Sequence, residues 1–267
     1  MKEQLRDFTV NYEVSKATNH LQNAIWLTFS NSLATSLDMW ESQVQYFREN
    51  YNILTYDTRG HGSSAATIGP YSLEMLADDV IELWDSLNIE KSHFIGLSLG
   101  GMIAQNLALN YPDRLLSVLI CDSRADCTGP YRENWYKRIP NVEQNGLEIL
   151  VDASIERWFT ERFREENHNK IEQMKNMIRN TSVDGYVGCA NAILDLDNLN
   201  KLAEINVPTG FIVGAQDSGT PPEAARAMHK KVQNARYFEI DPAAHISNVE
   251  NPQAFNKIVK DFLNNIP

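Results

Sequence analysis

The chain has 267 residues, of which 43% are hydrophobic and 22% are charged, a composition typical of a globular protein with a sizeable core. Its 35 acidic and 24 basic residues give a formal net charge of −11, which argues against nucleic acid and anionic membranes as partners. The same charge opposes an anionic substrate unless the binding site is locally positive.

Short apolar strands alternate with helices over the first half of the chain. The pattern predicts strands at residues 8–14, 24–29, 52–56, 91–95 and 115–121, and helices at 40–47, 73–87 and 101–109. The alternation stops near Arg124 and resumes near Val207, with strands at 209–214 and 235–240 and a closing helix at 255–264. This order predicts an α/β fold, a mostly parallel sheet with helices on both faces.

The segment that interrupts the alternation has a different character. Residues 146–180 are helical in pattern, charged and rich in aromatic residues, and they contain no strand-like run. We therefore predict a core domain formed by residues 1–123 and 205–267, with residues 124–204 inserted as a helical cap. The cap should cover the carboxyl edge of the sheet, where ligands bind in this fold class.

Five residues, Gly96-Leu97-Ser98-Leu99-Gly100, lie where a predicted strand becomes a predicted helix. A serine on such a sharp turn is held clear of the sheet at a helix N-terminus, and flanking glycines allow strand and helix to approach closely. This geometry is the nucleophile elbow of serine hydrolases. The alternative is a tight turn whose serine merely caps the helix.

A serine nucleophile needs a histidine base and an acid that orients the histidine. In this fold they follow later strands, in the order serine, acid, histidine. Asp217 comes directly after the strand at 209–214, and His245 follows the strand at 235–240. We predict Ser98, Asp217 and His245 as the catalytic residues, with Asp122, at the end of the preceding strand, as a rival for the acid.

The other five histidines are less well placed; they are His20, His61, His93, His168 and His229. His61 is the ambiguous one, because it stands in the glycine-punctuated loop that follows the strand at 52–56. We interpret it as bracing that loop together with Asp57 and Arg59, rather than as a reacting group.

Stabilising an oxyanion requires two backbone N–H groups that converge on the substrate carbonyl. The residue after the nucleophile, Leu99, supplies one. The other should come from the loop after the strand at 24–29, where many members of this fold show His-Gly. Here that position reads Asn31-Ser32, so the donor is predicted to be the N–H of Leu33.

No feature of the sequence points to export, membrane insertion or metal binding. The first seven residues contain no apolar signal core, and no later apolar run approaches the length of a membrane span. The cysteines, Cys121, Cys127 and Cys189, are odd in number and lack the spacing of metal ligands. We expect a cytoplasmic protein with reduced thiols and no metal site.

Seven short motifs carry a family resemblance that runs from about residue 24 to residue 264. They are Asn31-Ser32-Leu33-Ala34-Thr35 with Met39-Trp40, Asp57-Thr58-Arg59-Gly60-His61-Gly62, Gly96-Leu97-Ser98-Leu99-Gly100-Gly101, Arg157-Trp158-Phe159-Thr160, Gly185-Tyr186-Val187-Gly188-Cys189, Asp217 with Thr220-Pro221-Pro222, and Ala244-His245-Ile246-Ser247-Asn248-Val249-Glu250. With them the chain resembles the 3-oxoadipate enol-lactonases of the α/β-hydrolase fold. The motifs at 157–160 and 185–189 distinguish that family from generic esterases. The family usually has glycine where this chain has Ala34, and a second cysteine is common where it has Ala190.

The resemblance implies hydrolysis of 3-oxoadipate enol-lactone to 3-oxoadipate in the bacterial β-ketoadipate route of aromatic degradation, without metal or cofactor. That substrate is a small anionic lactone, so its carboxylate arm needs local donors in a chain of charge −11. Candidates are Trp135 and Arg138, three residues apart and on one face if that stretch is helical, with Trp158 in the cap motif and Arg124 at the cap's entrance.

Other functions stay open at this stage. Within enzymes they are a broader carboxylesterase, a cofactor-free haloperoxidase-like protein or a C–C bond hydrolase. Haloalkane dehalogenases are disfavoured, because their aspartate nucleophile would take the place of Ser98. Outside enzymes, the same fold can serve as a ligand receptor without catalysis. The sequence has a serine, an acid and a histidine in the order expected of a hydrolase, which argues against a receptor function.

Overall fold

The computed structural model describes residues 1–19 and 24–266, so His20 lies outside the described residues. The strands, β1 to β8 in chain order, are Lys2–Gln4, Thr9–Ser15, Trp26–Ser30, Asn52–Tyr56, Ser92–Leu97, Leu115–Cys121, Thr209–Gly214 and Arg236–Ile240. The α-helices, α1 to α11, are Glu41–Phe47, Leu73–Ser86, Leu99–Asn110, Gly129–Asn145, Val151–Trp158, Glu161–Glu166, His168–Asn180, Val183–Leu194, Pro222–His229, Ser247–Glu250 and Pro252–Leu263. Short 3₁₀ turns occupy Leu37–Trp40, Pro112–Arg114, Glu148–Leu150 and Lys201–Glu204.

The described strands form one sheet in the order β1-β2-β4-β3-β5-β6-β7-β8. From β4 to β8 neighbouring strands run parallel, whereas β2 pairs antiparallel with both β1 and β4. The predicted α/β fold with a mostly parallel sheet is therefore confirmed. Strand β1 was not predicted, because its three residues, Lys-Glu-Gln, carry no apolar alternation.

The middle of the sheet is fully buried, which explains why its strands read as continuous apolar runs. All six residues of β5 are buried, as are all six of β7. Helix α2 illustrates how the outer layer attaches: Ser72 caps its first turn, and Leu76, Val80 and Leu83 form a buried stripe. Helices α2 and α3 pack against each other, with α3 on β5 and β6, while α1 packs against α11.

Helices α4 to α8 lie between β6 and β7, where the alternation was predicted to stop. Helical structure begins earlier than the predicted residue 146, because α4 starts at Gly129. Its polar composition and the internal Pro140 hide it from a pattern search. The boundaries 124 and 204 stay a prediction. Near them the entering and leaving segments pair, through hydrogen bonds from Cys127 N to Leu196 O (2.9 Å) and from Asn198 N to Ala125 O (2.8 Å).

None of the helices in the described ranges combines the length and the apolar character needed to cross a membrane.

Candidate active site

Ser98 stands between β5 and α3 in a strained backbone conformation, with φ 57° and ψ −110°. The tight turn requires its glycines. A Cβ on Gly96 would overlap the backbone of Gly100, and a Cβ on Gly100 would overlap the carbonyl of Ser30. The Ser98 side chain makes no capping hydrogen bond to α3, so the helix-cap alternative does not describe this turn.

The side chains of the three residues predicted as catalytic form one chain of hydrogen bonds. Ser98 Oγ is 3.0 Å from Nε2 of His245, and Nδ1 of His245 is 2.8 Å from Oδ2 of Asp217. All three residues are buried. Each comes from the carboxyl end of a parallel strand, Ser98 after β5, Asp217 after β7 and His245 after β8. The arrangement is suited to moving a proton from the serine hydroxyl to the imidazole.

Four hydrogen bonds fix the Asp217 carboxylate. Its Oδ1 accepts from the N–H groups of Gly219 (2.7 Å) and Thr220 (3.0 Å), while its Oδ2 accepts from Thr220 Oγ1 (2.7 Å) as well as meeting His245. Burial raises the pKa of Asp217, but the pairing with His245 and the hydrogen bonds from His245 and Thr220 outweigh it and hold that pKa below its usual value. The side chain is therefore an ionised, immobile acceptor for the imidazole.

Asp122 has other partners. Its Oδ1 accepts from Gly214 N at 2.7 Å, and its Oδ2 accepts from the hydroxyl of Ser247. Burial, followed by the nearby charge of Asp217, raises the pKa of Asp122 well above its usual value. The structure thus brings Asp217 to the histidine and leaves Asp122 as a buried tie between β6, β7 and the segment after His245.

The two predicted oxyanion donors flank Ser98. Leu99 is the first residue of α3, and the first N–H groups of a helix have no partner within it. Leu33 lines the same cavity as Ser98, and its loop is tied to α3 by a hydrogen bond from Gly100 N to Asn31 O (3.0 Å). Ala34, where the resembled family usually has glycine, has φ 62°, a conformation that glycine adopts without strain.

A cavity of about 200 Å³ opens above Ser98, between the sheet edge and the inserted helices. Leu33, Ser98, Thr220 and His245 lie on its core side. Three of the four residues predicted to bind a carboxylate arm line its other side, namely Trp135, Arg138 and Trp158. The guanidinium of Arg138 stacks over Trp135, 4.7 Å from the ring centroid.

Arg124 does not line this cavity. Its guanidinium pairs with the carboxylate of Asp126 at 2.9 Å and stacks over the ring of Tyr131 at 4.0 Å. Sequence reasoning placed Arg124 at the entrance of the cap, but the neighbouring acid two residues later holds it away from the serine. We therefore leave Arg124 out of the substrate site.

Arg157 lines the cavity and was missed as a site residue, although the family motif at 157–160 contained it. It lies in the last turn of helix α5, and its aliphatic stem lies against Gly219 in the loop that follows Asp217. Burial, and then the neighbouring charge of Arg138, lower the pKa of Arg157. The signal that could have found it was its place beside Trp158 in a motif already singled out.

The end of α5 is bound to the histidine loop. Ile246 N donates to Trp158 O at 3.1 Å. The Glu250 carboxylate accepts from Thr160 N (3.0 Å) and Thr160 Oγ1 with one oxygen, and from Ala244 N (2.8 Å) with the other. One carboxylate thus joins the inserted helices to the residue that precedes His245.

His61 lies in the loop after β4 and is buried. Its Nδ1 lies 3.1 Å from Arg59 O, and its Nε2 has no partner among the described residues. Burial lowers the pKa of His61 to about 4. Asp57 accepts from Leu37 N at 2.7 Å, and Arg59 pairs with Asp79, so these neighbours hold the loop in place. The bracing interpretation fits these contacts, and none of the three residues lines the cavity.

Comparison with known proteins places these observations in a family. The sequence profile of the alpha/beta hydrolase fold matches residues 26–252. The chain belongs to the α/β-hydrolase fold family.

Within that family this hydrolase is similar to proteins named 3-oxoadipate enol-lactonase, as its motifs predicted. It is 37% identical to 3-oxoadipate enol-lactonase 2 of Acinetobacter baylyi over 88% of this chain and 86% of the relative. It is 36% identical to enol-lactonase 1 of the same organism over 95% of this chain and 94% of that protein. The crystal structure of the enol-lactonase from Burkholderia xenovorans superimposes with a TM-score of 0.94 at 35% identity, covering 99% of this chain and all of the other.

The donors in the described part of the hydrolase do not form a metal centre. Among residues 1–19 and 24–266, no group of three or more histidine, cysteine, aspartate or glutamate side chains could hold a metal ion.

Proposed function

We propose that this hydrolase opens 3-oxoadipate enol-lactone to 3-oxoadipate in aromatic-compound degradation, through an acyl-enzyme on Ser98. One observation carries the proposal: the Ser98–His245–Asp217 chain of hydrogen bonds opens into a cavity that is also lined by Arg138 and Arg157. A nucleophile facing fixed cations suits an ester that bears an anionic arm. The names of the relatives support the same substrate.

In the first step His245 accepts the hydroxyl proton of Ser98 while the oxygen attacks the lactone carbonyl. Asp217 keeps Nδ1 of His245 protonated, so that Nε2 faces the hydroxyl as an acceptor. The negative charge that develops on the carbonyl oxygen is stabilised by the N–H groups of Leu33 and Leu99.

Collapse of the tetrahedral intermediate breaks the bond between the carbonyl carbon and the ring oxygen. The leaving group is an enolate, which is more stable than an ordinary alkoxide, and the imidazolium of His245 protonates it. The enol then converts to a ketone, which makes ring opening hard to reverse. His245 next removes a proton from water, and the hydroxide attacks the acyl carbonyl. The bond to Ser98 Oγ then breaks, His245 returns its proton to that oxygen, and the acid that is released ionises to a carboxylate.

The carboxylate arm of the substrate lies on the cap side in this proposal. Trp135, Arg138 and Trp158 remain its predicted partners, and Arg157 joins them because it lines the same cavity. Replacing the contacting residue with alanine should raise KM for the enol-lactone by roughly 10- to 100-fold, the size of one charged hydrogen bond. Hydrolysis of a small neutral ester should change little, because such an ester has no arm to bind.

The direct test mixes the pure protein with 3-oxoadipate enol-lactone and follows the loss of its ultraviolet absorbance, with phenyl acetate as the neutral comparison. We expect a kcat/KM for the enol-lactone far above that for phenyl acetate. Equal values would favour a broader carboxylesterase. No turnover of either compound would favour a receptor on the same fold.

A further inference from the structure

The cavity holds two cationic side chains and no carboxylate that neutralises them. Among the described residues, neither Arg138 nor Arg157 takes part in an ion pair. The acid nearest the reacting serine, Asp217, is already bonded to His245. Arg124 differs from both of these arginines, because it pairs with the carboxylate of Asp126.

The contacts that these two arginines do make are with neutral groups. Arg138 stacks over the Trp135 ring at 4.7 Å. The one side-chain hydrogen bond that Arg157 makes within the described residues goes to Ser154 Oγ, at 3.5 Å. Neutral contacts orient a guanidinium without cancelling its charge. Two like charges in one enclosed space repel each other, and an anionic ligand would offset this repulsion.

The two arginines come from different helices of the inserted segment. Arg138 lies on α4, whereas Arg157 lies in the last turn of α5 with its stem against Gly219, two residues from Asp217. A guanidinium presents paired N–H groups that match the two oxygens of one carboxylate. Two such groups on separate helices, neither held by a carboxylate of the described residues, are suited to two carboxylates of one small molecule.

We propose that Arg138 and Arg157 together make this cavity a dicarboxylate site. The link to catalysis rests on the proposed function, since hydrolysis of a lactone that carries one carboxylate creates a second. Water adds to the acyl group, the bond to Ser98 Oγ breaks, and one carboxylate and one proton are released. The product is then a dianion, so it binds more tightly than a monoanion of the same size and inhibits turnover as it accumulates.

Calorimetric titration with adipate and hexanoate tests this without catalysis, because both are unreactive six-carbon chains and differ in one carboxylate. Wild-type protein should bind adipate at least about 10-fold more tightly than hexanoate, the lower end for a charged hydrogen bond. Arg138→Gln and Arg157→Gln should each bring the ratio close to one. Arg124→Gln is the matched control and should keep the wild-type ratio.

Equal binding of the two acids by wild-type protein would overturn the proposal, and so would a wild-type ratio in both glutamine variants. Thermal melts check that each variant is folded. If a glutamine variant does not fold, the lysine substitution at the same position is measured instead. It retains the positive charge, so it should keep part of the preference for adipate over hexanoate. Enol-lactone turnover is measured on the same preparation. Turnover without an adipate preference overturns only the dicarboxylate site, and an adipate preference without turnover overturns only the proposed function.

Discussion

Replacing Asp217 with asparagine should reverse the hydrogen bond that orients His245. In the native site, Asp217 Oδ1 accepts from the backbone N–H groups of Gly219 and Thr220 at 2.7 and 3.0 Å. The amide oxygen of asparagine must take this place, because an NH₂ group there would face two donors. The NH₂ group is then left at the Oδ2 position, 2.8 Å from Nδ1 of His245.

An amide donor at that distance forces Nδ1 to be an acceptor, so the proton of a neutral imidazole moves to Nε2. That nitrogen faces Ser98 Oγ at 3.0 Å and can no longer accept its proton. Turning the amide over would restore the tautomer but would lose both backbone hydrogen bonds. We therefore expect kcat to fall by about 10⁴-fold, which corresponds to about 5.5 kcal/mol in the activation barrier.

Asp122→Asn is the matched control, since it makes the same change on a buried aspartate of the same site. Here asparagine fits, because its oxygen accepts from Gly214 N and its NH₂ group donates to the Ser247 hydroxyl. The raised pKa of Asp122, caused by burial and by Asp217, also favours the neutral form that asparagine imitates. We expect a loss of less than about 10-fold in kcat.

Both variants are assayed at pH 7.5 with the enol-lactone at saturation, and circular dichroism confirms that each is folded. The reasoning is refuted if Asp122→Asn loses more activity than Asp217→Asn, because the acid would then lie after β6. A folded Asp217→Asn enzyme with a tenth of the wild-type kcat would refute the tautomer argument itself.

Two further predictions concern the supports of the site. Glu250→Gln should lower kcat for the enol-lactone about 10-fold, since an amide cannot accept from both Thr160 and Ala244, and the lost hydrogen bond should lower the free energy of unfolding by about 1 kcal/mol. The exposed Glu156→Gln is the control, and equal losses of kcat in the two variants would contradict the link. Burial lowers the pKa of His61 to about 4 from an ordinary 6.5, so the stability it contributes is complete above pH 6.5 and is lost as the pH falls toward 4. Between pH 7 and pH 5, the free energy of unfolding measured with a denaturant should therefore fall by about 2 kcal/mol more in the wild type than in His61→Gln. Equal falls in the two proteins would contradict this.

Much of the fold was accessible from the sequence because burial on both faces makes parallel strands continuous apolar runs. The strands at 115–121 and 209–214 were predicted with the bounds that the structure gives. The glycines of the elbow predicted the strained Ser98, since only a turn that excludes Cβ atoms requires them at both ends. Chain order then selected Asp217 and His245 without any knowledge of distance.

The helical insertion was predicted, but its details were not, for equally physical reasons. Helix α4 is polar and contains Pro140, so its pattern is weak. Which arginine faces the cavity depends on pairings that no local pattern reveals. Arg124 is held by Asp126, while Arg157 is held against the loop after Asp217 by packing between distant parts of the chain.

The turnover number of Ser98→Ala with 3-oxoadipate enol-lactone tests the proposed mechanism most directly. The alanine fits the turn, because the Ser98 side chain caps nothing in α3, so the variant should fold and keep the cavity. Loss of the nucleophile should lower kcat on the order of 10⁶-fold, with only residual catalysis from the oxyanion donors and binding. A folded Ser98→Ala protein that retains a tenth of the wild-type kcat would contradict an acyl-enzyme on this serine.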